Sequence, residues 1–149
     1  MPQSTTHPDR FVDDRATADE RTYCTFTHLV GLLSLTSSGI PLIGLIATLI
    51  MWQVKKSQSP FLDDHGREAM NFQISLVLWV FVGLLGALIF AISTLFLGVM
   101  LLPFLGGAGL LFLNVLQVVG SIRGAMAANR GEYYRYPMTI RVLPDKTVV

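Results

Sequence analysis

The residues whose types and spacing could do chemistry are gathered in one stretch, Asp63-Asp64-His65-Gly66-Arg67-Glu68. On a helix, Asp64, Glu68 and Asn71 fall on one face at i, i+4 and i+7, and Phe61, His65, Glu68 and Phe72 lie along an adjoining one. Carboxylates beside an imidazole suggest acid–base work or metal binding, but the ligand count speaks against both. Di-metal carboxylate bundles use Glu-x-x-His, the reverse of the order His65–Glu68, and repeat it on a second helix. The inverted zinc motif His-x-x-Glu-His needs a second His where Ala69 stands. Cys24 is the only cysteine, which excludes an intramolecular disulfide and a cysteine zinc site. The chain has no phosphate-binding loop, no nucleophile motif and no basic–aromatic nucleic-acid patch. The sequence therefore predicts no catalytic residue, metal, cofactor or nucleic-acid partner, and a protein that is not an enzyme. Asp64, His65 and Glu68 are expected to act as an interfacial anchor that pairs with basic groups of the C-terminal tail, such as Arg130 or Arg135. Exposed pairs of this kind contribute about 0–1 kcal/mol each. Asn71 and Gln73 are placed to hydrogen-bond another helix.

The elements that must position this cluster are set by charge. No Asp, Glu, Lys or Arg occurs from Thr22 to Val54, nor from Ala69 to Ile122, so the cluster is an island between two long uncharged stretches. The chain is 52% apolar and only 14% charged, with a mean hydropathy of +0.54, where soluble domains carry about 25% charge. This composition predicts an all-α integral membrane protein. Residues 1–21, with three Arg and five acids, read as a disordered polar tail, 22–143 as the membrane domain and 144–149 as a flexible C-terminus.

Four helical segments are predicted, at about 24–36, 40–54, 59–97 and 102–129, the last two forming a transmembrane hairpin. Gly39 and Pro41 break the first apolar region. Either one long kinked span or a re-entrant hairpin fits it. Ser59 and Pro60 open the third segment with a favourable cap and first-turn proline, giving it an amphipathic start. Gly98–Pro103 reads as an uncharged turn. Gly120, Gly124 and Ala128 recur every four residues as a small-residue packing stripe, and Gly131 reads as a stop signal. Trp52, Lys55 and Lys56 mark an interfacial, cytoplasmic end, so 55–68 and the C-terminus are expected in the cytoplasm. His28, Asn114 and Gln117 are the intramembrane polar candidates. His28 is near a helix end, from which it can reach the interface, and Asn114 and Gln117 are placed to bond Ser75, Ser93 or Thr94 or to line a thin polar seam.

Several motifs then resemble one family. They are His28-Leu29-Val30-Gly31, Ser59-Pro60-Phe61, Asp64-His65-Gly66-Arg67-Glu68-Ala69, Asn71-Phe72-Gln73 and the ending Gly131-Glu132-Tyr133-Tyr134-Arg135-Tyr136-Pro137. The family is a widespread one of small bacterial membrane proteins with a domain of unknown function. It is also called Tic-twenty-like, after a chloroplast inner-envelope protein-import component. The resemblance covers about 24–143 and implies protein translocation only by analogy. The expected function is that of a non-enzymatic membrane subunit or scaffold of a bacterial inner membrane, with a small channel or transporter as the alternative. The expected partners are the lipid bilayer and other membrane proteins or a second copy, through Gly/Ala helix faces.

Overall fold

A computed structural model describes residues 12–36, 42–94 and 96–144. The described chain is helical throughout its regular structure, with no strand. Its elements are α1 (Ala18–Leu29), a 3-10 turn (Val30–Leu32), α2 (Leu33–Thr36), α3 (Leu42–Lys55), α4 (Pro60–Thr94) and α5 (Phe96–Asn129). The break expected at Gly39 and Pro41 lies outside the described residues.

α1 starts earlier than expected, and the polar tail predicted to reach residue 21 is corrected over residues 12–21. Thr17-Ala18-Asp19-Glu20 is a capping box. The Glu20 N–H donates to Thr17 Oγ1 at 3.3 Å, and the Thr17 N–H donates to Glu20 Oε2 at 2.8 Å. Two otherwise orphaned amides are thereby satisfied. Ahead of it, Val12 forms an isolated antiparallel bridge with Glu132, and the Asp13 N–H donates to the Gly131 carbonyl at 2.9 Å.

The first apolar region is a hairpin that returns to the level from which it starts. Near its beginning, Tyr23 Oη donates to the Met51 carbonyl, near its end, at 2.7 Å. The Lys55 ammonium sits over the Tyr23 ring at 4.7 Å. Deeper in the hairpin, the Gly44 N–H donates to Ser34 Oγ at 3.1 Å, and a Cβ on Gly44 would collide with the Gly31 carbonyl. These contacts between the two halves fit the hairpin and not one long kinked span.

α4 and α5 are each long and apolar enough to cross a membrane. At 35 and 34 residues they run about 50 Å each, well beyond a hydrocarbon core of about 30 Å. The excess length has a separate use. Phe61–Asp63, His65–Gln73, Ser75 and Leu76 are buried by the rest of the protein, whereas no residue of α4 beyond Leu76 is. The outer part of the hairpin presents Phe81, Leu84, Ile92, Phe104 and Leu111, all well over half exposed. A contiguous apolar surface of this kind suits lipid and not water.

The amphipathic start of α4 is therefore enclosed by the protein rather than lying free at an interface. α1, α3, α5 and the C-terminal tail enclose it. Trp52 is likewise turned inward, its indole N–H donating to Asp63 Oδ1 at 2.9 Å. It packs where a Cβ on Gly66 would strike the ring.

The turn predicted at Gly98–Pro103 is also corrected. α4 ends at Thr94 and α5 is already helical at Phe96, and Pro103 lies inside the helix. Gly98 is needed for close approach instead, since a Cβ there would meet Thr94 Oγ1 and the Ala91 backbone.

Gly66 and Gly83 make a matched pair on α4, because a Cβ at Gly83 meets nothing within 4 Å. Gly66→Ala is expected to destabilise by about 1–3 kcal/mol through overpacking against Trp52. Gly83→Ala should be neutral or stabilising by up to about 1 kcal/mol. Unfolding of both variants in detergent, followed by circular dichroism, checks this. Equal effects would contradict the packing described.

Candidate functional site

The site is built on one face of α4. Asp64, Glu68, Asn71, Ser75 and Trp79 are spaced by four, three, four and four residues, which keeps them in line along a helix. Opposite them runs the C-terminal segment from Tyr133 to Pro144. α5 ends in a Schellman motif, with the Gly131 N–H on the Ala128 carbonyl at 3.0 Å and the Glu132 N–H on the Ala127 carbonyl at 2.9 Å. Gly131 takes the left-handed φ of +73° that this cap requires. The chain then turns back along α4.

The tail is held mainly through its own peptide groups. Asp64 takes both terminal nitrogens of Arg135 at 2.7 and 2.8 Å. Glu68 Oε1 accepts the Tyr136 N–H at 2.7 Å. The indole N–H of Trp79 donates to the Met138 carbonyl at 3.3 Å. Ser75 Oγ accepts the Ile140 N–H at 2.8 Å and donates to the Asn71 carbonyl at 2.7 Å. The Asn71 amide accepts the Leu143 N–H at 2.8 Å and donates to the Leu143 carbonyl at 2.9 Å. Arg67 donates to the Pro144 carbonyl at 3.2 Å.

Read in tail order, the partners on α4 are 64, 68, 79, 75, 71 and 67. The tail thus descends about 16 Å from Glu68 to Trp79, turns at Pro137-Met138 and climbs back. Met138 holds the turn with φ +58°, unusual for a residue with a side chain.

Beneath the tail lies a buried ring cluster. Tyr136 is 4% exposed and stacks on Phe72, with centroids 3.9 Å apart and planes at 8°. Its hydroxyl is 2.7 Å from His28 Nδ1, and His28 Nε2 is 2.9 Å from His65 Nδ1. One arrangement of protons serves both neutral rings. Tyr136 donates to His28 Nδ1, His28 Nε2–H donates to His65 Nδ1, and His65 carries its proton on Nε2, facing the Glu132 backbone. His65 also lies parallel to Tyr133, with centroids 6.0 Å apart, and against Phe61 at 4.4 Å.

Gly120 and Gly124 shape this slot. A Cβ on Gly124 would lie 2.8 Å from His28 Nδ1, and one on Gly120 would lie 3.0 Å from Phe72 and Tyr136. The small-residue stripe Gly120, Gly124, Ala128, expected to serve another helix or copy, is occupied from within the chain.

The remaining candidates separate. His28, expected to reach the interface, is 1% exposed and belongs to the ring cluster. Gln117 is buried and donates to the Gly31 carbonyl at 2.7 Å. A Cβ on Gly31 would collide with the Gln73 amide, so Gln73 packs there too. Asn114 is exposed and, among the described residues, bonds only its own helix, at the Leu110 carbonyl. Ser93 and Thr94 do likewise, at Ile89 and Phe90. Asn114 and Gln117 therefore do not share a polar seam. Pro60 occupies the first position of α4. Arg130 pairs with Glu132 and not with the α4 cluster. Tyr134 lies half-buried beside Tyr136, and Pro137 forms the loop tip.

Sequence reasoning assigned no role in this site to four contributors: Asp63 and Arg67, which pair with each other in a buried setting, and Ser75 and Trp79, which extend the polar face. The continuing spacing after Asn71 was the available signal.

Chemically, the arrangement is closed. His28 and His65 are 1% and 0% exposed. Their facing nitrogens stand at hydrogen-bond distance from one another. No group of three or more potential metal ligands occurs among the described residues.

Burial raises the Tyr136 phenol well above its usual value. Burial, followed by the hydrogen bond to Asp13, pushes Tyr133 up to about 12. Tyr133 thus stays protonated in the folded chain where its unfolded counterpart, near 10, ionises. Its contribution is complete below pH 10 and is lost as pH rises towards 12. Stability measured across that window should fall with pH, and the slope should be shallower in Tyr133→Phe. An unchanged slope would contradict the burial of this phenol.

With this geometry in place, comparison with known proteins gives one result. No curated protein and no solved structure is found to match the chain. The sequence model of one family matches residues 19–143, from the start of α1 to the end of the docked tail. The match gives no support to the Tic-twenty-like family suggested by the motifs. The chain belongs to the magnetosome magnetite crystal formation protein family.

Proposed function

We propose that this protein is a non-enzymatic subunit or scaffold of a bacterial inner membrane or magnetosome membrane that serves magnetite crystal formation. The observation that carries the reading is the family match, which spans both the apolar hairpin and the polar base. The use of the polar groups supports it. Asp64, Glu68, Asn71 and Ser75, the side chains best suited to chemistry, are spent on holding the tail. The two histidines are sealed beneath it.

The outer hairpin is the surface left for assembly. There Gly83, Gly86, Gly106 and Gly109 line an apolar groove of about 470 Å³ between α4 and α5, where a neighbouring helix of this or another protein would fit. Lys55, Lys56, Arg123, Arg135 and Arg141 lie towards one end, and Ala69–Ile122 carries no charge. That end is assigned to the cytoplasm by the positive-inside rule. The channel alternative draws no support from the separated Asn114 and Gln117. The translocation role implied by the resemblance rests on a family name only.

Complementation tests this reading in a magnetosome-forming bacterium lacking the gene. Wild-type protein should restore crystal size and number, read by electron microscopy. Glu68→Gln should restore them equally, because the amide oxygen still accepts the Tyr136 N–H while the carboxylate is gone. Unaltered crystals in the deletion strain would contradict the role in crystal formation. Failure of a normally folded Glu68→Gln protein would contradict the non-enzymatic reading.

A further inference from the structure

The cytoplasm-assigned end of α5 and the tail enclose a polar groove of about 720 Å³ that the docked-tail site does not use. Its lining includes Arg123, Met126, Arg130, Tyr134 and Arg135. Arg123 is the first charge after the uncharged run Ala69–Ile122. It is exposed and makes no hydrogen bond or ion pair among the described residues. Arg130 follows seven residues later, two turns along the same face of α5. It gives Nε and Nη2 to Glu132 at 2.9 Å each, while its Nη1 makes no hydrogen bond among the described residues. The Tyr134 hydroxyl is without one there as well. Arg123 and Tyr134 both line the groove; burial raises the Tyr134 phenol and the Arg123 charge opposes that rise. Arg135 is engaged by Asp64 at the rim, and Glu132 is the one carboxylate in the lining.

We infer that this groove binds a phosphate group, with Arg123 supplying the uncompensated charge and Arg130 Nη1 and the Tyr134 hydroxyl supplying further donors. A guanidinium fork matches the geometry of phosphate oxygens. Arg123 stands directly after the apolar run, where a spanning helix emerging from the hydrocarbon would meet the lipid headgroups. The phosphate has two possible sources, an anionic phospholipid headgroup or free phosphate, and the same chemistry recognises both. The inference stands apart from the role in crystal formation, since neither the family match nor the docked tail enters it.

Native mass spectrometry of the full-length protein in neutral detergent tests it, with phosphatidylglycerol, phosphatidylcholine and inorganic phosphate offered separately. Wild type should retain phosphatidylglycerol over phosphatidylcholine, and Arg123→Gln should lower that retention about five-fold, the usual effect of one basic residue at an anionic surface. Arg123→Lys should keep most of it, and Tyr134→Phe should weaken it while leaving the charge intact. Arg123-dependent retention of phosphatidylglycerol alone assigns the source to lipid. Arg123-dependent binding of inorganic phosphate as well assigns the site to the phosphate group in general. Retention of neither, or retention that Arg123→Gln leaves unchanged with helicity intact, would overturn the inference.

Discussion

An extended segment with no neighbouring strand must find partners for its peptide groups elsewhere, and beside a membrane water supplies few. Here the partners are side chains of a single helix. Glu68, Asn71 and Ser75 accept the N–H groups of Tyr136, Leu143 and Ile140, and Asn71, Trp79 and Arg67 donate to carbonyls of the same segment. Much of the surrounding structure follows from this docking. α4 must be long enough to carry a polar base below its apolar span. α1 and α3 must wrap that base, because its side chains are buried on every side.

The ring cluster is the second consequence. Docking the tail drives Tyr136 between α4 and α5, where only glycine at 120 and 124 leaves room. Its hydroxyl then needs a partner, and His28 and His65 supply a chain of two neutral rings. A buried polar group without such a partner would cost about 1–3 kcal/mol. The histidines are thus explained by the tyrosine they satisfy, and the glycines by the rings they admit.

Much of the fold was legible because charge and hydropathy report on lipid directly. The two uncharged stretches, the start of α4 at Pro60 and the stop at Gly131 are each single-residue or compositional signals. The capping box at Thr17 was written just as plainly, but it lies in a polar segment that reads as tail. The spacing of Asp64, Glu68 and Asn71 identifies a face. Spacing does not say whether that face meets water, a partner helix or a backbone, because only the tertiary fold brings residues 64 and 135 together. Glycine was the most ambiguous signal. Gly98 suggested a turn and proved to be a close approach of two helices, and Gly120 and Gly124 suggested a helix partner and received the rings of His28, Phe72 and Tyr136. Pro103 similarly read as the end of a turn, yet α5 continues through it.

Backbone amide exchange in lipid nanodiscs tests the docking most directly. Tyr136, Ile140 and Leu143 lie outside any helix or strand, so their amides would ordinarily exchange fast. The account predicts slow exchange at all three in the wild-type protein. It also predicts that Asn71→Ala releases Leu143 while amides in the outer part of α4 stay protected. Fast exchange at all three in wild-type protein would contradict it.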